Sequence, residues 1–168
     1  MTNTNMRKGF TMIELIFVIV IIGILAAVAI PKLAATRDDA KISNIVANTR
    51  TGLGDITASY TSQGQKAFKL LKVQDVTSVP FDAACGTSVP ANTVIAGATL
   101  RLCDDTTECV KFVVDGNGTS VAVTATTAAT ATSAVCEGVQ GDPAMEGIAG
   151  LTSGTAKIYT LGGSKVVR

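Results

Sequence analysis

The stretch that most limits what this chain can fold into is an apolar run near its start. From Leu15 to Ile30 the sequence holds sixteen residues without a polar side chain, and twelve of them are Leu, Ile, Val or Phe. About 21 residues of helix span roughly 30 Å, the thickness of the hydrocarbon core of a bilayer. At roughly −0.3 to −0.6 kcal/mol each, these large side chains supply about −4 to −7 kcal/mol for insertion. We therefore predict a membrane anchor over residues 10–30.

One carboxylate, Glu14, lies inside this apolar segment. At the centre of a bilayer it would oppose insertion by about 3 kcal/mol, and by less here because it lies near one end of the run. Insertion therefore remains favourable. A lone carboxylate in lipid either protonates or finds a cation, so its presence calls for a partner.

A short polar leader precedes the anchor and ends in Arg7-Lys8-Gly9, followed by Phe10 and, four residues later, Glu14. This arrangement resembles the N-terminus of type IV pilins and type II secretion pseudopilins. The resemblance implies that a membrane-embedded prepilin peptidase cuts between Gly9 and Phe10 and methylates the new amine of Phe10. It also implies that Pro31 kinks the helix. The matching motif covers about residues 7–36, so the rest of the chain must be interpreted from its own residues.

The resemblance also supplies a partner for Glu14. After cleavage the nearest cation would be the α-amine of Phe10 on a neighbouring copy of the chain, and methylation leaves that amine protonatable. This pairing would set the axial stagger between helices in a homo-oligomeric filament. The implied partners are the prepilin peptidase, an inner-membrane assembly platform and the lipid bilayer.

The implied location is the bacterial inner membrane. Because Arg7 and Lys8 stay on the cytoplasmic side, the chain would cross once, with its N-terminus inside and its head in the periplasm. The head would later form part of a filament in the periplasm or at the cell surface.

Three other interpretations stay open at this point. A conventional secretory signal also has a basic start and an apolar core, and Ala27-Val28-Ala29 would supply its cleavage site. Glu14 could also be a helix-edge acid that reaches the headgroups. Finally, the chain could be a membrane-anchored or secreted binding module or adhesin that forms no filament.

The resemblance does not separate a pilus subunit from a secretion pseudopilin, because both use the same N-terminal segment. Major secretion pseudopilins often carry a tyrosine- and proline-containing motif after the helix and a calcium loop. Here Tyr60 is followed by TSQG, and the next proline is Pro80. Pilins more often carry disulfides in the head, so the sequence slightly favours a pilus.

The composition argues against catalysis and against nucleic-acid binding. The chain has no histidine, which removes His-based triads and imidazole metal ligands, and its net charge is only +1. We find no P-loop, no dinucleotide fingerprint and no pair of carboxylates placed as acid and base. We therefore predict a structural protein, not an enzyme, without an obligatory cofactor.

Beyond Pro31 the apolar residues follow a helical spacing. They are Ile42, Ile45, Val46, Leu53, Ile56 and Tyr60. The helix is predicted to run from residue 10 to about residue 62 and to stop near Gly64, an apt residue for a helix end. We predict an α+β fold in which the amphipathic second half of this helix packs against a small antiparallel β-sheet. The predicted division is a cleaved leader (1–9), the helix (10–62) and a globular head (63–168).

A three-stranded meander is predicted between residues 99 and 124. A four-residue turn, Asp115 to Gly118, would pair Phe112 with Val121, and a five-residue loop, Asp104 to Glu108, would pair Cys103 with Cys109. This register places one set of apolar residues on a single face: Leu100, Leu102, Val110, Phe112, Val114, Val121 and Val123. A one-residue slip would scatter that face, so the pattern favours the meander.

The remaining segments of the head are less regular in sequence. The sequence predicts a loop over residues 80–90 and an irregular glycine-rich segment over residues 136–150. Residues 157–161 could return as a last strand.

The four cysteines favour disulfides, because their number is even and the head is predicted to be exported. The meander register predicts Cys103 bonded to Cys109, which leaves Cys85 for Cys136. The competing arrangement joins Cys85 to Cys103 or to Cys109, and requires the segment before the meander to fold back beside it.

Two weak sites lie in the turns of the meander. Asp104, Asp105 and Glu108 cluster in one turn and are candidate Ca²⁺ ligands, although no full set of six or seven oxygen ligands is visible. In the other turn, Asp115-Gly116-Asn117-Gly118-Thr119 looks like the extended acceptor sequence of some bacterial N-glycosylation systems. Ordinary turn chemistry would also explain both clusters.

Overall fold

The computed structural model describes residues 10–125, 133–150 and 155–162. The predicted leader and its cleavage site therefore lie outside the described residues, except for Phe10. The described part contains four helices and six strands. They are α1 (Met12–Phe68), α2 (Val73–Val76), β1 (Asp82–Ala84), β2 (Thr87–Ser88), β3 (Thr99–Asp104), β4 (Thr107–Val114), β5 (Ser120–Ala125), α3 (Ala134–Gly141), α4 (Pro143–Glu146) and β6 (Lys157–Thr160).

The chain divides into two compact units within α1. The first comprises residues 1–37 and the second residues 38–168. The first unit, where it is described, is the apolar part of α1. The second unit contains the rest of α1 together with the sheet and the short helices, and it is an α+β domain as predicted.

The long helix ends where the sequence predicts. Gly64 leaves the helical conformation, with φ 73° and ψ 162°. Glycine reaches positive φ without a Cβ clash, so this residue ends the long helix, and one further turn follows up to Phe68. Phe68 is fully buried and packs edge-to-face against Tyr60, with ring centroids 5.4 Å apart.

All six strands belong to one antiparallel sheet of order β2-β1-β3-β4-β5-β6. The meander β3-β4-β5 lies at its centre, and β6 is the predicted last strand. The expectation of a loop over residues 80–90 is wrong, because β1 and β2 form a short hairpin there. The expectation of an irregular segment over residues 136–150 is also wrong, since α3 and α4 occupy it. Ser133 and Asp142 cap these two helices through their side-chain oxygens.

The hydrophobic core lies between α1 and one face of the sheet. The helix contributes buried positions at helical spacing, namely Ile45, Val46, Thr49, Gly52 and Ile56. The sheet contributes the predicted apolar face, and all of its members are buried: Leu100, Leu102, Val110, Phe112, Val114, Val121 and Val123. Fully burying a side chain of this size stabilises a fold by about 1.5–3 kcal/mol, so this face is a major contributor to the core. The amphipathic interpretation of the second half of α1 is confirmed.

The register of the first hairpin differs from the prediction near its turn. The strands meet in a two-residue turn, Asp105-Thr106, with Asp104 opposite Thr107 and Cys103 opposite Glu108. A β-bulge then shifts the register, so that Leu102 lies opposite Val110, as predicted. The bulge takes up one extra residue, Cys109, which is buried next to buried Val110.

The register of the second hairpin differs by two residues. Phe112 lies opposite Val123 and Val114 opposite Val121. The loop is longer than predicted because Thr119 takes part in it. The Thr119 hydroxyl donates to Asp115, and the Thr119 carbonyl accepts from the Leu161 amide. A register shift of two residues keeps every side chain on the same face of the sheet. The predicted core face is therefore correct, although the predicted cross-strand pairs are not.

The predicted disulfides, Cys103–Cys109 and Cys85–Cys136, are wrong. The bonds are Cys85–Cys103, with 5.6 Å between the Cα atoms, and Cys109–Cys136, with 4.7 Å. The bulge removes Cys109 from the position opposite Cys103 and buries it, where it meets Cys136 of α3. The segment before the meander folds back and adds β1 beside β3, which brings Cys85 to Cys103.

Two glycines of α1 give a matched test of how tightly the helix packs on the sheet. A Cβ added at Gly52 would lie 2.5 Å from Cζ of Phe81, whereas one added at Gly54 meets nothing within 4 Å. Phe81 cannot easily yield, because it is buried and packs edge-to-face on Phe112 with centroids 5.1 Å apart.

We expect Gly52→Ala to destabilise the head by about 1–2 kcal/mol, since overpacking exceeds the gain in helix propensity. At Gly54 the propensity gain acts alone, so Gly54→Ala should stabilise it by up to about 1 kcal/mol. Thermal unfolding of the detergent-solubilised protein, followed by circular dichroism, measures both. Equal melting temperatures for the two variants would contradict the close approach of α1 to Phe81.

Candidate functional site

The start of α1 is built by Thr11 and Glu14. The hydroxyl oxygen of Thr11 accepts a hydrogen bond from the Glu14 amide at 3.3 Å, and Thr11 Oγ1 lies 3.5 Å from Glu14 Oε2. The pattern Thr-x-x-Glu is the sequence of a capping box, and here its first bond is present, in which the Thr11 side chain satisfies an amide of the first turn. The carboxylate is thus placed at the helix N-terminus, where the helix dipole favours negative charge.

Thr11 is a residue whose role we did not predict. The signal was present in the sequence as a threonine three residues before an acid at the start of an apolar run. The cap gives Glu14 a second, purely local role beside the pairing implied by the family resemblance. Any test of the pairing must separate these two roles.

The first unit exposes apolar side chains all around the helix. Every large apolar residue from Phe10 to Leu33 is exposed, at between 41% and 86% of its surface. Met12–Phe68 is long and apolar enough to cross a membrane by its length and composition. The charged residues nearest to Glu14 along the described chain begin at Lys32, beyond the apolar segment.

Pro31 lies inside α1, and the helix continues on both sides of it. Proline lacks the amide proton that would bond the carbonyl of Ala27, so one helical hydrogen bond is missing at this level. The kink implied by the resemblance stays a prediction.

Comparison with known proteins identifies this segment. The family described as prokaryotic N-terminal methylation motif matches residues 4–30. The type IV narrow pilus major component PilA5 of Thermus thermophilus is 55% identical over 38 residues. The N-terminal segment of this chain is therefore similar to that of a type IV pilus component. The alignment spans 23% of this chain and 33% of that relative, so the chain spans about a third of the relative's length. No solved structure matches the chain significantly.

The acidic residues in the turn of the first hairpin form ion pairs. Asp104 lies 2.5 Å from the ammonium of Lys41 on α1 and accepts from the Ser133 hydroxyl at 2.6 Å. Glu108 lies 2.5 Å from Arg101 and 3.6 Å from Lys111. Among the residues the structure describes, no group of three or more His, Cys, Asp or Glu is placed to hold a metal ion. The candidate Ca²⁺ ligands are therefore not gathered around one point.

These ion pairs hold the hairpin to its neighbours. The guanidinium of Arg101 also donates to the carbonyl of Ala83, which ties β3 to β1. Lys41 links α1 to the end of β3, and Ser133 links the start of α3 to the same carboxylate. The acidic turn thus has a structural role that the sequence did not reveal, because its partners are distant in the chain.

The turn of the second hairpin carries Asn117. The amide of Gly118 donates to the carbonyl of Asp115 at 2.7 Å, and Gly118 has a φ of 64°, which favours glycine. The Thr119 hydroxyl donates to Asp115 at 2.7 Å. This bond, together with bonds from backbone amides, holds the pKa of the Asp115 carboxyl below its usual range, although burial raises that pKa by a smaller amount. Asn117 itself is exposed.

Proposed function

We propose that this chain is the structural subunit of a type IV filament. The observation that carries the proposal is the first unit of the chain, an apolar helix exposed on all sides with one carboxylate in its first turn. Such a surface is stable only in lipid or among other apolar helices. A subunit that passes from a membrane into a helical filament meets both environments in turn.

In this proposal the chain is stored in the inner membrane by residues 10–30. Its head faces the periplasm, because Arg7 and Lys8 stay inside. A prepilin peptidase removes residues 1–9 and methylates Phe10, and the assembly platform transfers the subunit to the filament. There Glu14 pairs with the Phe10 amine of a neighbouring copy.

Between the two kinds of type IV filament, we propose a pilus. The matched relative is described as the major component of a narrow pilus. The head is cross-linked by two disulfides, a feature of pilins more often than of pseudopilins. Electron microscopy of cell surfaces with and without the gene distinguishes the two, because a pseudopilus is confined to the periplasm.

The processing step gives the most direct test of the proposal. We expect the mature chain to begin at Phe10 and to carry one methyl group on its α-amine. Mass spectrometry of the N-terminal peptide, from protein purified out of the native host, measures both features. As a control, the same host lacking its prepilin peptidase should yield a chain that keeps residues 1–9.

The same measurement decides against the main alternative. A secretory signal peptidase would cut after Ala29, so the mature chain would begin at Ile30. That result would remove the anchor and the filament proposal together, and would favour a secreted binding module.

A further inference from the structure

The turn between β4 and β5 carries a sequence that the filament role does not explain. Asn117 is followed at the second position by Thr119, the pattern of an N-glycosylation acceptor. None of the other asparagines in the sequence has Ser or Thr at that position. Asp115, two residues before Asn117, completes the acidic extended form of the acceptor sequence.

The structure presents this asparagine to the solvent. Asn117 is exposed, and within the described part of the chain its side-chain amide forms no hydrogen bond. A Cβ added at Gly116 would meet nothing within 4 Å, so one flank of the asparagine is open. A bulky group on the side-chain nitrogen of Asn117 would therefore extend into open space on that side.

The backbone of the turn is supported from the opposite side. The carbonyl of Asn117 accepts from the Gln65 side chain at 3.4 Å, and a Cβ added at Gly118 would lie 3.2 Å from the ring of Phe68. The turn thus rests on the end of α1 through Gly118 and the main chain, and not through the Asn117 side chain. A modification at Asn117 would leave the packing of the core unchanged.

The hydroxyl of Thr119 is bonded locally, to Asp115 at 2.7 Å. A transferase that recognises the Thr119 hydroxyl must first break its hydrogen bond to Asp115. The bond is part-buried and lies in a turn, and hydrogen bonds at a turn open locally without unfolding of the strands on either side. The acceptor sequence can therefore be reached in the folded head as well as before folding.

We propose that Asn117 is an N-glycosylation site of the exported head. The donor is a lipid-linked oligosaccharide with an activated pyrophosphate at its anomeric carbon. The amide nitrogen of Asn117 forms a bond to that carbon, the bond from the carbon to the pyrophosphate oxygen breaks, and the lipid pyrophosphate leaves. The displaced amide proton passes to a base of the transferase. The inference rests on the periplasmic location of the head and not on filament formation.

The test uses the full chain purified from its native host. We expect the peptide containing Asn117 to carry the added mass of an oligosaccharide, located on Asn117 by fragmentation. Asn117→Gln and Thr119→Val should lose that mass completely, whereas Thr119→Ser, which keeps the hydroxyl, should retain it. Asn92→Gln is the matched control, because Asn92 is also exposed but lacks Ser or Thr two residues later. Asp115→Asn tests whether the transferase requires the acid two residues before Asn117.

Several outcomes would overturn the proposal. A peptide of unmodified mass from the native host would do so, as would a glycan that persists in Asn117→Gln. Loss of the glycan in Thr119→Ser together with Asn92→Gln would point to misfolding or failed export instead of acceptor recognition. An unmodified Asn117 on a chain with a methylated Phe10 would reject the glycan and leave the filament proposal intact.

Discussion

Glu14→Gln is expected to abolish filament assembly while leaving the amount of protein in the membrane equal or higher. Glutamine keeps the size of the side chain and can still cap the helix, but it removes the charge that lipid disfavours by up to about 3 kcal/mol. In the proposed filament, the Phe10 amine would then be buried without its partner. Removing one member of a buried ion pair costs about 3–5 kcal/mol, which corresponds to a loss of at least about 100-fold in each step of subunit addition.

The capping box offers a rival explanation that a second variant can separate. Thr11 caps the helix through the Glu14 amide, and its hydroxyl also lies 3.5 Å from the Glu14 carboxylate, so a defect of Glu14→Gln could reflect a disturbed side-chain contact at the helix start and not a lost ion pair. Thr11→Ala removes the cap, at a cost of about 1 kcal/mol, and keeps the charge of Glu14. If the charge matters for assembly, Thr11→Ala should still form filaments and Glu14→Gln should not.

Sheared filaments and membrane fractions from the same cells, compared by quantitative immunoblot, give both readings. Glu14→Asp serves as a further control, since it keeps the charge on a side chain one methylene shorter. Wild-type filament yield from Glu14→Gln would refute the pairing. Loss of filaments in Thr11→Ala, with normal yield from Glu14→Gln, would assign the role of this turn to helix capping instead.

The sequence predicted those features of the fold that depend on local pattern. The apolar first half of α1 follows from an unbroken apolar run, and the end of the long helix follows from Gly64. The core face of the meander was also predictable, because side chains alternate along a strand and the pairs shifted by two residues keep their faces. Phe112 is buried whether it lies opposite Val121 or, as in the structure, opposite Val123.

The errors in strand register and disulfide pairing came from features that depend on distant parts of the chain, whereas the missed helices have a local cause. The bulge at Cys109 cannot be recognised from alternation alone, since it places two neighbouring residues, Cys109 and Val110, in the core. The same bulge decides the disulfides, which the sequence left open between three arrangements. The helices over residues 134–146 were missed because their glycines lowered the helical pattern, whereas their N-caps, Ser133 and Asp142, were visible in the sequence.

The residues of the candidate site also divide into those that a local pattern indicates and those whose contacts join distant parts of the chain. Glu14 and Phe10 could be proposed as site residues because they stand at fixed spacing in one short segment, and their roles stay a prediction. The pairing of Asp104 with Lys41 could not be proposed, because 63 residues separate them and only the docking of α1 on the sheet joins them. That pairing gives the acidic turn a structural partner that its local sequence does not reveal.

The two disulfides should differ strongly in their effect on stability, and the buried one should matter more. The loops they close differ little, with separations of 18 and 27 residues, so the loop-entropy contribution is about 3 kcal/mol for each. Their surroundings differ, because Cys109 and Cys136 are 1% and 2% exposed whereas Cys85 and Cys103 are half-buried. Only the buried disulfide also stabilises the head through packing, since its sulfur atoms fill space between β4 and α3.

We therefore expect the double variant Cys109→Ala/Cys136→Ala to lose about 1–2 kcal/mol more stability than Cys85→Ala/Cys103→Ala, because it leaves a cavity in the core. For a head with few aromatic side chains this difference is large compared with a typical total stability of about 5–15 kcal/mol. Thermal unfolding of both double variants and of the parent protein, under oxidising conditions, measures it. Equal stabilities would show that α3 closes the gap by moving toward the sheet.

Graded reduction of the unmodified protein tests the same assignment without any mutation. A thiolate must reach a sulfur atom in line to exchange with it, so access controls the rate. At low concentrations of dithiothreitol, Cys85 and Cys103 should be alkylated first, while Cys109 and Cys136 stay bonded until the head unfolds. Peptide mapping after alkylation with a mass-coded reagent identifies the order. Early labelling of Cys136 would mean that α3 leaves the sheet readily, and a peptide linking Cys103 to Cys109 would contradict the bulge that separates them.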